Sequence, residues 1–273
     1  MTGYFARVLC HPDYIHSRVF DNVAGAFDGA LRDMGWHDDL GVPLIFGANI
    51  VGMYPKLVKD IRPEAIIVQL EARGSPWLEH LDYLRLLDRH PVLEYDAAMV
   101  SRWRNAKHCP IRYHRSLTRL RQDVEKTNDV LFYGGINSRR EEILKAVLGT
   151  GLRCCFLDHR HWDQRDNMIE RSKVALNIHY YREAPLEMVR LSYLLANGAF
   201  VLSEGSGGDY QMESMMAFVA SQPDEIVRAC QHWARQDNER ALVARNGFQR
   251  FQQMRQEDVL RACLDAPQTR RVV

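Results

Sequence analysis

Charged and hydrogen-bonding side chains are concentrated in one otherwise apolar stretch, residues 176–208, which reads LNIHYYREAPLEMVRLSYLLANGAFVLSEGSGG. The stretch has a strand-like segment at each end and a helical segment between them, so its polar residues fall at the ends of buried elements. In open parallel sheets, ligands bind beyond the carboxyl ends of the strands. The stretch therefore predicts a ligand site that contains Asn177, His179, Glu183, Glu187, Arg190 and Glu204.

A second segment, YGGINSRR at residues 133–140, has the composition of a phosphate-binding turn. Gly134 and Gly135 follow a predicted buried strand, and glycines let backbone amides approach a ligand closely. The helix that follows offers free N–H groups suited to a phosphate, and Arg139 and Arg140 could clamp a diphosphate. An ordinary strand-to-helix turn with solvated arginines would use the same residues, so this alternative stays open.

Glu187 and Arg190 are three residues apart on a predicted helix and are therefore neighbours. One interpretation is an intrahelical ion pair with no further role. The rest of that helix is mostly apolar, which favours a second interpretation, in which the charged pair faces a cleft. Pro185 is predicted in the first turn of this helix, and Gly198 at its C-terminal stop.

Further candidates end strands at the same predicted edge. The strand AFVLSE delivers Ser203 and Glu204 there, followed by the flexible run GSGG that begins at Gly205. His179 ends another strand on this edge. A lone histidine is often structural, and GSGG also suits a hairpin or a surface loop, so both simpler interpretations stay open.

Strand-like and helix-like segments alternate along the whole chain, which is typical of parallel sheets covered by helices. The predicted fold class is α/β, with two similar-sized units joined near residues 115–128. The segment KHCPIRYHRS is predicted to be irregular, the helix after the glycines to have Ser138 as its N-cap, and the tail from residue 238 to be helical.

Composition limits the possible functions. The chain has 273 residues, 46% of them hydrophobic, which is enough for one or two cores. Lys and Arg total 36 against 35 Asp and Glu, so no overall field recruits nucleic acid or an anionic membrane. No long apolar run occurs, which predicts a soluble cytoplasmic protein without an integral membrane segment. The 6 cysteines lack CxxC spacing, which favours reduced thiols and no metal site.

The segments LNIHYY and EMVRLSYLLANGAFVLSE, with LFYGG upstream and PDEIV downstream, resemble the nucleotide-sugar-binding half of GT-B type glycosyltransferases. LIFGANIV, AIIVQLE and VLEYDAAMVSRW are similar to the acceptor-side half of a poorly characterised branch of these family 1- and 4-like proteins. The resemblance spans most of residues 1–260. It implies two Rossmann-like domains facing each other across a cleft, the acceptor side at 1–122 and the nucleotide-sugar side at 123–273.

The resemblance also implies a reaction, the transfer of a sugar from a nucleotide-sugar donor to an acceptor hydroxyl, with no metal and no separate cofactor. Gly134, Gly135, Arg190 and the loop that begins at Ser203 would hold the departing diphosphate. Glu187 and Glu204 are candidates for binding donor hydroxyls, and Arg139, His179 and Gly205 complete the donor-binding set. The acceptor, whether a glycan, a small molecule or a modified nucleic acid, and the oligomeric state stay open.

In the acceptor-side domain, the loop CHPDYIHS leaves the first predicted strand at its carboxyl edge. His11, Asp13 and His16 are its candidate catalytic bases. The sequence does not choose among them.

One departure from the family pattern matters. Many retaining GT-B enzymes have two glutamates separated by seven residues, and the second position counted from Glu183 is Leu191. The missing role is either moved to Glu187 or Glu204, or lost, so a non-catalytic nucleotide- or sugar-binding protein is the alternative function. A nicotinamide-dependent oxidoreductase is disfavoured, because VLCHPDY after the first strand has no GxGxxG.

Overall fold

The structure is a computed structural model of the chain, and it describes residues 3–14, 16, 18–157, 164–182, 184–205 and 210–265. By contacts, the chain divides into two compact units. The first domain contains the described residues up to Leu117 and those from Met254 onward. The second domain runs from Thr118 to Gln253.

Five strands form a parallel sheet in the described part of the first domain. In chain order its elements are β1 Tyr4–Val8, α1 Asp21–Asp33, β2 Val42–Phe46, β3 Ile66–Gln69, α2 Leu81–Arg89, β4 Val92–Glu94 and β5 Ala106–His108, with short 3-10 helices at Ala48–Gly52, Pro55–Asp60, Pro76–Glu79, Ala97–Arg102 and Arg115–Leu117. The strands lie side by side in chain order, β1-β2-β3-β4-β5. Ile45 and Ile67 are fully buried in its core, as parallel strands covered on both faces require.

The described part of the second domain has its own five-stranded parallel sheet. Its elements are β6 Asn128–Tyr133, α3 Ser138–Leu148, β7 Cys154–Leu157, α4 Arg165–Glu170, β8 Ser172–Asn177, α5 Met188–Ala196, β9 Val201–Glu204, α6 Tyr210–Glu213, β10 Ala217–Val219, α7 Pro223–Trp233 and α8 Asp237–Gln252. The strand order is β10-β9-β8-β6-β7, so the chain reverses direction across the sheet between β6 and β8. Such a reversal opens a crevice beyond the carboxyl ends of the two strands, where ligands bind.

The last helix, α9 at Gln256–Cys263, belongs to the first domain, where it packs against α1. Tyr113 N–H donates to the carbonyl of Met254 at 2.8 Å, and the N–H of Gln256 donates to the carbonyl of Tyr113 at 2.8 Å. The structure thus differs from the predicted division at 122/123, which assigned residues 123–273 to one domain. Helical periodicity in the tail identifies a helix but carries no information about which core the helix covers.

The predicted fold class, α/β with two Rossmann-like domains, is confirmed by the two parallel sheets. Local details differ. Helix α5 begins at Met188, so Pro185 lies outside it, and Asn137 rather than Ser138 caps α3, with its Oδ1 accepting from the N–H of Arg140 at 2.9 Å. The short strands β5 and β10 were not predicted. None of the helices in the described ranges is both long enough and apolar enough to cross a membrane.

Asn197, which is 4% exposed, ties the start of the second domain to the end of α5. Its Oδ1 accepts from the N–H groups of Arg119 at 2.8 Å and Leu120 at 2.9 Å, and its Nδ2 donates to the carbonyl of Tyr193 at 2.8 Å. Asn197→Ala would leave these backbone groups unpaired, and we expect it to lower the free energy of unfolding by about 2–4 kcal/mol in urea titrations.

Asn246→Ala is the control, because Asn246 is an exposed residue of α8. We expect this change to alter stability by less than about 0.5 kcal/mol. Equal effects of the two substitutions would contradict the role assigned to Asn197.

Candidate functional site

The candidate site lies at the carboxyl edge of the second sheet. Strands β6, β8 and β9 are parallel neighbours, so their carboxyl ends meet there. Gly134 directly follows β6, His179 is the second residue after β8, and Glu204 ends β9. The first turn of α3 adds Arg139 to this edge. The predicted donor-binding residues on these elements are therefore brought together by the strand order.

Glu204 is fully buried, and both of its carboxylate oxygens are occupied. Its Oε2 accepts from Arg139 at 3.1 Å and from the N–H of His179 at 2.6 Å, and its Oε1 pairs with the same guanidinium. Arg139 also donates to the carbonyl of His179 at 3.0 Å. In this arrangement Glu204 fixes Arg139 and the end of β8.

Glu187 joins two more arginines. Its Oε1 lies 2.5 Å from the guanidinium of Arg140 and accepts from the N–H of Tyr180 at 3.0 Å, and its Oε2 lies 2.8 Å from Arg190. Burial alone would raise the pKa of Glu187, but Arg190 and Arg140 hold this pKa below its usual value. Burial lowers the pKa of Arg140 to about 10, so this guanidinium is still charged at neutral pH.

Arg190 is 10% exposed, which does not fit a solvated partner of Glu187 on a helix surface. It donates to Asn177 Oδ1 at 2.8 Å, and Asn177 in turn donates to Ser203 Oγ at 2.9 Å. Gly134 has φ +128°, and a Cβ at this position would come within 2.5 Å of the Arg190 guanidinium. Only glycine therefore lets Arg190 lie against the end of β6.

The site has an excess of positive charge and polar atoms without partners. Its three guanidinium groups, Arg139, Arg140 and Arg190, face the two carboxylates of Glu187 and Glu204. His179 is neutral, because burial lowers its pKa.

Three buried nitrogen atoms have no hydrogen-bond partner in the part of the chain that the structure describes. They are the two ring nitrogens of His179 and the Nε of Arg190. Buried polar atoms are rarely left unpaired in the absence of a ligand. The arrangement suits an anion.

The two glycines have different surroundings. Gly134 N–H donates to the carbonyl of Leu157 at 3.0 Å, so in this arrangement the amide predicted to bind a ligand is already paired with β7. The amide of Gly135 has no partner among the described residues, and its carbonyl accepts from Arg140 at 2.7 Å. Gly205 is exposed, with its N–H 3.3 Å from the carbonyl of Val219.

The structure does not describe every residue that was predicted for this site. Glu183 and residues 206–208 lie outside the described residues. Sequence reasoning offered Arg140 as a possible diphosphate clamp and placed Asn177 in the predicted ligand site, but included neither in the donor-binding set. Arg140 is 2% exposed and lies under the ring of Tyr180 at 5.0 Å. Its place directly beside Arg139, in a turn already suspected of binding phosphate, was the available signal.

The candidate bases of the first domain lie at the carboxyl edge of its sheet. The ring of His11 stacks on Tyr54 with centroids 3.6 Å apart, and its Nδ1 accepts from the N–H of Asp13 at 3.3 Å. His16 lies edge-on to Tyr14 at 5.5 Å. The structure therefore brings His11 and Asp13 together and places His16 beside the same group of aromatic rings.

Sequence reasoning missed two glutamates at the same edge, the partly buried Glu71 and the fully buried Glu94. Burial raises the pKa of Glu71 to about 7, with a hydrogen bond from Ser75 at 2.7 Å, and raises the pKa of Glu94 to about 7 as well. Glu94 is fully buried and accepts from the indole of Trp103 at 2.8 Å. The signal was present in AIIVQLE and PVLEY, where a glutamate ends or nearly ends an apolar strand.

One group in the first domain has the chemistry of metal ligands. Ligand atoms of Asp33, His114 and Glu257 lie within 4.8 Å of one another. Arg115 already pairs with Asp33 at 2.6 Å, and Arg255 with Glu257 at 2.9 Å. Since these arginines neutralise both carboxylates, the group is explained as an ion-pair network.

The chain is similar to known proteins in structure, but the sequence comparisons found no match. No protein-family model matches the chain, and neither does any curated protein. Among solved structures, Anabaena HepE in complex with UDP and glucose matches with a TM-score of 0.50 and 12% identity, over 88% of this chain and 80% of that chain.

A second structure is an alpha-glucosyltransferase in complex with UDP-glucose and DNA containing an abasic site, with a TM-score of 0.49 and 10% identity over 84% of this chain and 80% of that chain. A third is the glycotransferase of kitacinnamycin, with a TM-score of 0.38 and 13% identity over 92% of this chain and 81% of that chain. The likeness to HepE shows a shared fold. Its two parallel sheets agree with the two Rossmann-like domains that the sequence resemblance implied.

The raised pKa of Glu71 predicts a pH dependence of stability. In the folded protein the carboxyl group keeps its proton up to a pKa of about 7, against an ordinary value of 4.5. The stability it contributes is therefore complete below pH 4.5 and is lost as the pH rises through 7. We expect the melting temperature of Glu71→Gln to fall less between pH 5 and 8 than that of the parent.

Glu79→Gln is the control for this series, because Glu79 is exposed in the same domain. The melting temperature of Glu79→Gln should fall between pH 5 and 8 by as much as that of the parent. Some slope should also persist in Glu71→Gln, since Glu94 titrates in the same range. A parent-like slope in Glu71→Gln would exclude this titration.

Proposed function

We propose that the protein is a glycosyltransferase that moves a sugar from a nucleotide-sugar donor to an acceptor hydroxyl, without a metal ion. The observation that carries the proposal is the buried excess of positive charge formed by Arg139, Arg140 and Arg190 against Glu187 and Glu204. This charge lies where the strand order reverses, which is the position at which parallel sheets bind ligands.

The diphosphate of the donor gains negative charge as the bond between the sugar carbon and the phosphate oxygen breaks. Positive groups held in place before the reaction stabilise this developing charge more than they stabilise the bound donor. Arg190 is held by Glu187 and Asn177, each at 2.8 Å, so its guanidinium needs no reorganisation. The N–H of Gly135, which has no partner among the described residues, is proposed to donate to a diphosphate oxygen.

His179 is proposed to contact the donor. A neutral imidazole has one ring nitrogen that donates and one that accepts. Both are buried and have no hydrogen-bond partner in the described part of the chain, and hydroxyl groups of a sugar can pair with both. Glu187 and Glu204 are assigned a different role from the predicted one, because they hold the arginines rather than the donor hydroxyls.

The proposed donor is UDP-glucose, and the proposed reaction needs no metal ion. HepE was solved with UDP and glucose, which makes UDP-glucose the first donor to test. Guanidinium groups supply the charge that a divalent cation supplies in other transferases, which supports a metal-independent reaction. The acceptor is a hydroxyl compound whose class, glycan, small molecule or modified nucleic acid, the proposal leaves open.

Replacement of Arg190 by alanine tests the proposal. The change removes a charge-assisted contact to the diphosphate, so we expect the affinity for UDP to fall by about ten- to a hundredfold in calorimetry. Release of UDP from UDP-glucose should fall as well. Arg190→Lys keeps the charge but loses the planar fork, and its affinity should lie between those of the parent and the alanine variant.

Arg228→Ala is the matched control, since it removes one positive charge from an exposed position on α7. It should bind UDP like the parent. If folded Arg190→Ala also binds like the parent, the cluster is a packing element and the donor site is elsewhere. A parent that binds UDP but neither transfers nor hydrolyses the sugar would be the non-catalytic binding protein.

Removal of metal gives an independent test. Because the diphosphate is proposed to be neutralised by guanidinium groups, the affinity for UDP should be the same with and without a chelator. Calorimetry in EDTA and in added magnesium measures both conditions. Loss of binding in EDTA would show that a cation belongs to the site.

A further inference from the structure

The second domain contains a cavity of about 830 Å³ that is separate from the candidate donor site. Its walls come from the segment that begins at Thr118, from Ser172 and Phe200 beside the amino ends of β8 and β9, and from one face of α8. Gly134 and His179 lie at the other end of these parallel strands. Strands of this length span roughly 17–20 Å, so one small ligand cannot occupy both places.

The cavity is positively charged. Among the described residues that line it, the basic groups outnumber the acidic one by four to one. The basic residues are Lys126, Lys173, Arg240 and Arg245, and the acidic residue is Asp237. In a chain with 36 basic and 35 acidic residues, this local excess does not follow from composition.

Two of the basic groups are already paired inside the protein. Lys173 Nζ lies 2.9 Å from Asp129 Oδ1, and Arg240 pairs with Asp237 and with the carbonyl of Trp233. These pairs neutralise Lys173 and Arg240, so the excess positive charge of the cavity comes from the other two basic groups.

The other two basic groups, Lys126 and Arg245, have no carboxylate partner in the described residues. Lys126 Nζ donates to the backbone carbonyl of Glu170 at 2.8 Å, and Arg245 is exposed. Lys126 is an exposed residue, but partial desolvation of its ammonium group, and after it the charge of Arg240, lower the pKa of Lys126. A bound anion would offset both effects, so the cavity favours a negatively charged ligand.

The rest of the lining is polar at Thr118, Gln122 and Ser172 and apolar elsewhere. Leu120, Phe200 and Phe248 contribute large side chains, and Ala241 and Ala244 keep the facing surface of α8 shallow. The volume falls within the range of small-molecule sites, and a lining that is mostly apolar with a few placed charges is typical of them. An inorganic ion would use the charges but leave the apolar walls empty.

We propose that this cavity is a second ligand site, which binds an organic anion that combines a phosphate or carboxylate group with an apolar ring. Lys126 and Arg245 hold the anionic group, and Leu120, Phe200 and Phe248 contact the ring. The proposal does not depend on sugar transfer at the other edge of the sheet.

Calorimetry with 1-naphthyl phosphate tests this site, in the full-length protein, with UDP present and absent. We expect binding that UDP does not displace. Lys126→Ala and Arg245→Ala should each weaken it by about five- to tenfold, because each removes a charge-assisted contact. Arg250→Ala, an exposed change on the same helix, and Arg190→Ala, at the donor site, should bind the probe like the parent.

Two further probes identify the anionic group and the role of the ring. Tighter binding of 1-naphthyl phosphate than of 1-naphthoate supports a phosphate ligand, and the reverse order supports a carboxylate. Inorganic phosphate should bind far more weakly than either. The proposal is overturned if the parent does not bind the naphthyl probes, if UDP displaces them, if inorganic phosphate binds as tightly, or if Lys126→Ala and Arg245→Ala bind them unchanged while folded.

Discussion

The second domain depends on burying three guanidinium groups at one edge of its sheet. Removing charges from water is costly, and the cost is offset only when partners are placed with good geometry. Glu187 and Glu204 supply these partners, and each also accepts a backbone N–H from the residues after β8. The carboxylates therefore fix the strand end and the arginines together, and the loss of one would leave a buried cation unpaired.

The fold makes this pairing possible through its strand order. The reversal between β6 and β8 places the first turn of α3 beside the segment that follows β8, so Arg140 reaches the carbonyl of Ile178 at 3.0 Å. The strands of the first domain lie in chain order and have no such reversal. Among the described strands, a ligand crevice of this kind is therefore built into the second sheet and not into the first.

Sequence reasoning recovered what periodicity and turn chemistry encode. Apolar strands ending in glycine or glutamate identified β6 and β9, and the edge at which Gly134, His179, Arg190 and Glu204 gather followed from parallel topology. Sequence reasoning could not predict which of these side chains and backbone groups pair with one another. Nothing local indicates that Glu204 pairs with Arg139, which is 65 residues away in the chain, nor that the amide of Gly134 is already used by β7. The return of α9 to the first domain is likewise a long-range contact.

The two domains bury carboxyl groups in opposite ways, and this difference separates the ligands that they suit. In the second domain arginines keep Glu187 ionised, since they hold its pKa below the usual value. In the first domain Glu71 and Glu94 have no cation in ion-pair contact among the described residues, and burial raises their pKa to about 7. The edge of the second sheet therefore carries fixed charge that attracts an anion. The edge of the first carries acids that exchange a proton near neutral pH, which suits an uncharged partner with hydroxyl groups.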